Sequence, residues 1–540
     1  MEQLCPKCGV PPLNLPPSSA DLHSSVTRLL KSNDPPLDSQ IPLIRNFISN
    51  EQNRVVTLDA QIECLQSTLA RLTHQRDEAV ERVHQHCAII SPVRQIPPEL
   101  LCEIFISTLS DGSANADDEI RTESPWYLGH VCRSWRNAAL SLPALWSCIA
   151  VPCSMSAEDS DLLSKMETQL DRSRDTALDI HLLDVRTNVN PRVVKPVLSH
   201  CSRWRSLTFH LEGNMRCSPH WLRPVKGRLD RLETFRTEGR KEGRNYRRGP
   251  VKKQPAVNAG NAVTIPNIFS TAANLRKVIL SNSGFGHASP TVVIPWAQIT
   301  HYRGRYMLDQ QLEILSSAPN LLDCAIGLTI TFGEFARADQ IILPRLRRLR
   351  MRPPNSLLAN LTAPLVEEVT VVLVVGGSLA PLLLPFIHRS LCTITKLVVR
   401  GPITSPDLVT ALKGLPMLSY LLLENEDSLA RVENLEHVPL FNAMAPVDIC
   451  PNLTTFVYGF CYRAAASPYF ESYLNMVQSR FRSNLNYPSH LGYARIFYAG
   501  HGDYSLPSST KSQIEMLRDQ GLDIVFLDAQ ETTSLRKTVY

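Results

Sequence analysis

Apolar residues follow two different periods along this chain. From Leu58 they recur at alternating steps of four and three, through Ile62, Leu65, Leu69, Leu72, Arg76, Ala79, Val83 and His86. That is the seam of an α-helix paired in a coiled coil. Arg76 takes an inward position, and flanking residues such as Gln61, Gln66 and Thr73 are uncharged. Two readings therefore stay open, a homodimer through 58–86 and an amphipathic helix docked on its own chain. Pro92 ends the helix.

Beyond residue 200 a shorter motif repeats. Trp204-x-x-Leu207-x-Phe209, Leu232-x-x-Phe235, Leu275-x-x-Val278-x-Leu280, Ile299-x-x-Tyr302 and Leu321-x-x-Cys324-x-Ile326 come first. Leu346-x-x-Leu349-x-Met351, Val366-x-x-Val369-x-Val371, Ile394-x-x-Leu397-x-Val399, Leu418-x-x-Leu421-x-Leu423 and Leu453-x-x-Phe456-x-Tyr458 continue the series. Between residues 278 and 421 the second positions step by 24, 22, 25, 20, 28 and 24, inside the window of roughly 20–29 residues for leucine-rich repeats. Intervening segments such as 309–317 and 407–412 read as short helices. Each unit is expected to be a strand with a covering helix, stacked into a curved solenoid. The asparagine ladder of regular repeats is missing from the pattern, so the repeats are degenerate.

The expected fold class is α/β: an N-terminal helix, a short all-helical segment, then a repeat solenoid. Residues 1–50 carry eight prolines and one aromatic, Phe47, and read as disordered. The heptad helix spans 51–90, the helical segment 91–152, the repeats 153–510, and a helix-strand cap with a tail 511–540. Residues 369–387 are uncharged and long enough for a membrane span. The β-branched run 369–375, the turn Gly376-Gly377-Ser378, and Pro381 and Pro385 favour strand, turn and buried helix.

Composition narrows the function. Hydrophobic residues make up 44% and charged residues 20%, which excludes a wholly disordered chain or a collagen. A formal charge of +5 is too small at this length for the whole protein to be a nucleic-acid binder. Locally, residues 223–253 hold twelve basic and four acidic residues, and the rest of the chain sums to −3. The basic run 240–253 is read as a solvated loop between repeats, with a nuclear import signal or an acidic partner as the functional alternatives. The opening residues contain no apolar core of a signal peptide, so cytosol or nucleus with reduced thiols is expected.

Residues 91–152 carry a third pattern. Pro98 suits the first turn of a helix and Glu99 its positive end. Leu100, Leu101, Ile104, Phe105 and Leu109 then fall on one face. Ser124 before Pro125 predicts the N-cap and first residue of a second helix, carrying Leu128, Val131, Cys132 and Trp135 inward. A third short helix holds Leu142, Leu145 and Trp146.

In this order Pro-Pro-Glu-Leu-Leu-x-x-Ile-Phe, Val-Cys-Arg-x-Trp-Arg-x-x-Ala and Leu-Pro-x-Leu-Trp closely resemble the F-box. The match covers about a tenth of the chain. Ile96 stands where that family has leucine, and an insert over 110–124 with the acidic run Asp117-Asp118-Glu119 replaces a short connection. With the heptad helix before it and the repeats after it, the arrangement resembles the large F-box set of mushroom-forming fungi. The resemblance implies a three-helix motif that binds the Skp-type adaptor of a cullin–RING (SCF) ubiquitin ligase. Its residues would be Pro98, Leu100, Leu101, Ile104, Phe105, Leu128, Val131, Cys132, Trp135, Leu145 and Trp146, divided between holding the helices together and meeting the adaptor.

An enzyme is not indicated. GxxxxGK[ST], GxSxG, HExxH and GxGxxG are all missing, and Gly500-His501-Gly502-Asp503 reads as a turn. Cys5 and Cys8 form a CxxC with no second pair nearby to complete four tetrahedral ligands, so no metal or cofactor is assigned. The expected function is a non-catalytic adaptor that holds an unknown target on its repeats for ubiquitination, with a non-degradative scaffold as the alternative. Arg347 and Arg350 beside Leu349, and Lys396 and Arg400 beside Leu397, are the candidate contacts to an acidic or phosphorylated target.

Overall fold

The computed structural model describes residues 28–109, 118–153, 160–183, 185, 189–211, 219–239, 265–280, 292–328, 340–352, 355–374, 377–402, 404–424, 437–460, 467–482, 491–498 and 506–539. The CxxC at Cys5, most of the insert at 110–124, the basic run 240–253 and the glycine-flanked His501 lie outside them. Contacts divide the chain into two units, Met1–Leu100 and Leu101–Tyr540.

In the first unit, α1 (Ile41–Ile89) runs for 49 residues with none of them buried. It begins well before Leu58, inside the stretch expected to be disordered. The cause is a backward extension of the same three-four seam through Ile41, Ile44, Ile48 and Val55. Pro42 does not interrupt it, because in the first turn of a helix an amide has no partner to lose. Ile62, Leu65, Leu69, Leu72 and Val83 of the seam are exposed in the single chain.

Three helices follow, α2 (Pro98–Leu109), α3 (Asp118–Val131) and α4 (Arg133–Ser141), then a 3-10 turn at Pro143–Trp146. Strands and helices then alternate as β1 (Cys148–Pro152), α5 (Ser160–Arg172), β2 (Leu178–Leu183), α6 (Pro191–Ser199), β3 (Trp204–Leu211), β4 (Thr234–Gly239), β5 (Lys277–Leu280), β6 (His301–Tyr306), α7 (Leu308–Ser317) and β7 (Asp323–Leu328). Next come β8 (Ile341–Ile342), β9 (Arg348–Arg352), β10 (Leu361–Thr362), β11 (Glu368–Val372), α8 (Ala380–Ser390), β12 (Lys396–Arg400), α9 (Ser405–Lys413) and β13 (Tyr420–Glu424). The last elements are α10 (His437–Met444), β14 (Thr455–Phe460), α11 (Ser467–Arg482), β15 (Tyr493–Tyr498), α12 (Ser508–Asp519), β16 (Asp523–Leu527) and α13 (Ala529–Val539). The uncharged stretch 369–387 falls into β11 and α8. Among the described residues no helix is long and apolar enough to cross a membrane.

Among the described residues fourteen strands form one parallel sheet in chain order, and β8 and β10 stand apart, paired with each other. The sheet begins at Cys148, inside the segment assigned to the helical motif. One row of partners runs through it: Ile149, Ile180, Leu207, Phe235, Val278, Tyr302 and Cys324, then Leu349, Val369, Leu397, Leu421, Phe456, Ala494 and Ile524. Every member is buried. Ten of the fourteen are the second positions of the sequence motif, so its repeat sets the strand register. The helices α5 to α12 supply residues such as Leu383, Phe386, Leu408 and Leu412 to the same core.

Backbone hydrogen bonds repeat with the motif. Just before β4 to β7, β9 and β11 to β14, one carbonyl accepts two successive amides from the next unit, as Arg276 does from Thr300 and His301, Thr300 from Leu322 and Asp323, Glu367 from Thr395 and Lys396, and Thr395 from Ser419 and Tyr420. Side chains reinforce this. Thr395, Ser419 and Thr454 hydroxyls donate to the carbonyls of Glu367, Thr395 and Ser419. Three asparagines in separate units, each just before the first apolar position, also reach back to the preceding unit. Asn274 donates to the Asp230 carbonyl (2.6 Å), Asn320 to Ala297 (2.7 Å) and Asn452 to Pro416 (3.1 Å). Each satisfies a turn carbonyl that the tight corner would otherwise leave without a donor.

Alternation along the strands puts the residues between the core positions on the opposite face of the sheet. Over its last strands that face is apolar. Val398, Leu422, Val457 and Phe497 form a second, smaller cluster there, covered by Leu535 of α13 together with Tyr420 and Leu527.

Candidate protein-interaction surfaces

The helical segment divides its apolar residues sharply. Leu101 (1% exposed), Phe105 (0%), Leu145 (0%) and Trp146 (2%) are buried. Leu100 (56%), Ile104 (44%) and Val131 (60%) are exposed, although they carry the same chemistry. Pro98 opens α2 and is also exposed, while Leu128 and Trp135 are half-buried.

Aromatic geometry accounts for the buried set. Phe105 and Trp135 meet with ring centroids 5.2 Å apart, and Trp126 stands edge-on to Trp146 at 5.1 Å. The Trp146 indole donates to the Ala139 carbonyl (2.7 Å), satisfying a buried N–H. Arg172 of α5 lies over both tryptophans, 5.0 Å from the Trp126 centroid and 4.5 Å from that of Trp146. This cation–π contact ties the segment to the first strand-helix unit. The sequence reading missed it, since a single basic residue on an amphipathic helix carries no signal of its own.

Two expectations about the segment are corrected. Pro125 does not start a helix; it lies inside α3, which begins at Asp118. Val131 and Cys132 do not point inward. The helix ends at Val131, and Cys132 adopts an extended conformation (φ −159°, ψ 175°) as N-cap of α4, its sulfur accepting the Trp135 amide at 3.5 Å. That break resets the helical face, so a stripe counted through it turns out of phase.

The four basic candidates occupy unlike positions. Arg347 is not on the strand face: it precedes β9, where its carbonyl accepts the Glu367 and Glu368 amides, and its exposed side chain pairs with Glu367 (3.4 Å). Arg350 lies on the open face of β9 and reaches Asp323 at 3.3 Å. Lys396 pairs with Glu368 (3.5 Å) and sits over the Tyr420 ring at 5.0 Å. Arg400 is largely buried against the fully buried Glu424 (3.1 Å), which also binds Arg536 of α13. Arg400 therefore has an internal partner in a water-poor site.

Sequence reasoning missed the company Arg350 keeps. Register places Arg236, Ile279, Arg303, Ala325 and Arg350 in one row of the open face, and Arg305, Gly327 and Arg352 in the next. Burial first, then the charges of Arg352, Arg350 and Arg236, holds the Arg303 guanidinium below its usual pKa. Lys277 is lowered in the same way, by burial and then by Arg236. Among the described residues no group of three or more His, Cys, Asp or Glu side chains could hold a metal ion.

No protein-family model matches the chain, and none of the curated proteins compared with it matches.

Proposed function

We propose that this chain is a substrate-recognition adaptor of an SCF-type ubiquitin ligase, its residues 91–146 serving as an F-box and its parallel strand-helix units as a degenerate leucine-rich-repeat solenoid for the target. The observation that carries the reading is the exposure of Leu100, Ile104 and Val131 on short helices that bury Leu101, Phe105, Ala138 and Ala139. Bulky apolar side chains left in water next to a well-packed aromatic core suit a docking surface for a Skp-type adaptor. The in-register row and the ladder of turn bonds support the repeat part of the reading. In this scheme the chain performs no chemistry. It raises the concentration of a bound target beside the ubiquitin-charged enzyme, which partner subunits supply.

Co-purification tests it. Leu100→Ala with Ile104→Ala should weaken recovery of the Skp-type adaptor at least tenfold, about 1.4 kcal/mol, without lowering the melting temperature. Leu101→Ala should instead cost about 2–5 kcal/mol of stability. Full adaptor recovery by the folded double variant would remove the F-box reading. The scaffold alternative shares these results and differs in outcome: a target that binds, and does not accumulate when the proteasome is inhibited, belongs to it.

A further inference from the structure

The middle of the open sheet face concentrates positive charge. Between β4 and β9 it presents Arg236, Lys277, Arg303, Arg305 and, on β9 alone, Arg348, Arg350 and Arg352. Glu238 and Asp323 are the carboxylates of the same rows. Seven cations against two carboxylates leave +5, as much as the formal charge of the whole chain. The two carboxylates are already engaged, Glu238 by Arg236 (2.9 Å) and Asp323 by Arg348 (3.6 Å) and Arg350 (3.3 Å). Arg303 and Lys277 make no ion pair among the described residues.

Spacing gives the patch a shape. In the central row the arginines fall on every second strand, Arg236 on β4, Arg303 on β6 and Arg350 on β9, separated by Ile279 and Ala325. Strands lie about 4.8 Å apart, so neighbouring arginines of the row are about 10 Å apart at the backbone. Between β6 and β9 the floor is Ala325 and Gly327, and the stem of Arg305 lies across Gly327, where an added Cβ would stand 3.1 Å from Arg305 Cγ. Ala325 keeps the central row low between Arg303 and Arg350. A peptide in the extended polyproline II conformation has three residues per turn and rises about 3.1 Å per residue, so every third side chain returns to the same face about 9 Å further on.

We infer that this face binds an extended acidic segment of the target protein, laid across the strands with a carboxylate at every third position facing Arg236, Arg303 and Arg350. The inference rests on the adaptor reading for its biological setting and names the chemistry of the target. Carboxylates are the partners these guanidinium groups already select within the chain, and the planar fork suits them. Single-stranded nucleic acid fits less well: from β4 to β9 the rows contain no Trp, Tyr or Phe on the open face to stack a base.

The probe is a fluorescein-labelled peptide of four Glu-Gly-Ser repeats, titrated with the full chain at low ionic strength and read by fluorescence anisotropy. A shuffled peptide with its four glutamates adjacent, a Gln-Gly-Ser version and an oligothymidylate of matched charge are the comparisons. The spaced acidic peptide should bind at least tenfold more tightly than the glutamine version and several-fold more tightly than the shuffled one. Arg303→Gln with Arg350→Gln should weaken it at least tenfold at an unchanged melting temperature. Arg303→Lys with Arg350→Lys, which keeps the charge and loses the fork, should weaken it less than the double glutamine variant does, and Arg347→Gln, off the strand face, should have no effect. Equal binding of the glutamine peptide, indifference to the double glutamine variant, or equal or tighter binding of the oligothymidylate overturns the inference. Adaptor recovery is measured on the same preparations, so failure of peptide binding and failure of the F-box reading register separately.

Discussion

Ser419 meets the backbone carbonyl of Thr395 twice, through its amide at 2.8 Å and its hydroxyl at 3.1 Å. The residue that begins one strand unit is thereby fixed to its counterpart in the unit before. Removing the hydroxyl leaves the amide bond in place, so Ser419→Ala should cost only about 0.5–1.5 kcal/mol. Leu421→Ala, two residues on in the buried row, should cost about 2–5 kcal/mol. Urea denaturation of the two variants ranks them, and equal losses would mean that the side-chain ladder carries as much of the stack as its core.

Glu424 is fully buried between Arg400 and Arg536, and α13 covers Val398, Leu422, Val457 and Phe497. Ending the chain at residue 528 should uncover that cluster and leave Glu424 with one cation. The truncated protein should bind a hydrophobic dye more strongly and melt earlier. Arg400→Ala should destabilise by about 3–5 kcal/mol, the cost of breaking a buried ion pair. A truncated chain with unchanged dye fluorescence would show that α13 does not close this face in solution.

Burial, followed by the Arg203 charge, lowers the pKa of His200 below 6.5; burial, and then Lys277 and arginine charges against Asp323, lowers that of His301. The folded chain thus binds fewer protons than the unfolded one just below that value. Stability from these two sites is present above the unfolded pKa and falls as pH drops through about 6.5 toward the depressed folded values. The melting temperature should be lower at pH 5 than at pH 7, and the difference should shrink in a variant with both His200→Asn and His301→Asn. The same pH dependence in that variant would assign it to other groups.

The exposed seam of α1 should associate with a second copy. Light scattering of the full chain is expected to give a concentration-dependent dimer, and Leu65→Glu, Leu69→Glu and Leu72→Glu together a monomer with unchanged melting of the sheet domain. A monomer at every concentration tested would leave the seam without a coiled-coil role.

Much of the sheet can be read from the sequence, because each strand needs three apolar residues at fixed offsets and a turn before them. The units that escaped have recognisable reasons. Trp146-x-x-Ile149-x-Val151 fits the motif completely, but its tryptophan also ends the F-box-like pattern, which hid the first strand. Leu491-x-x-Ala494-x-Ile496 opens β15 with alanine in the key position, too small to count as a core residue. The interaction surfaces were less legible. Leu100, Leu101, Ile104 and Phe105 share one helical stripe, and only the packing of the tryptophans decides which are covered. Arg303 and Arg350 become neighbours through strand register across connections of unequal length, which a one-dimensional period does not encode.

Because every strand of the large sheet runs the same way, its two rims differ in kind. At one rim the chain enters each strand through a tight, hydrogen-bonded corner that admits little change in length. From the other it leaves by connections as unequal as the one residue between Tyr306 and Leu308 and the long span from Gly239 to Lys277 that contains the basic run. Insertions are tolerated at the exit rim because they do not touch the register. The scaffold can therefore acquire new recognition loops along a single border while its core repeat stays fixed.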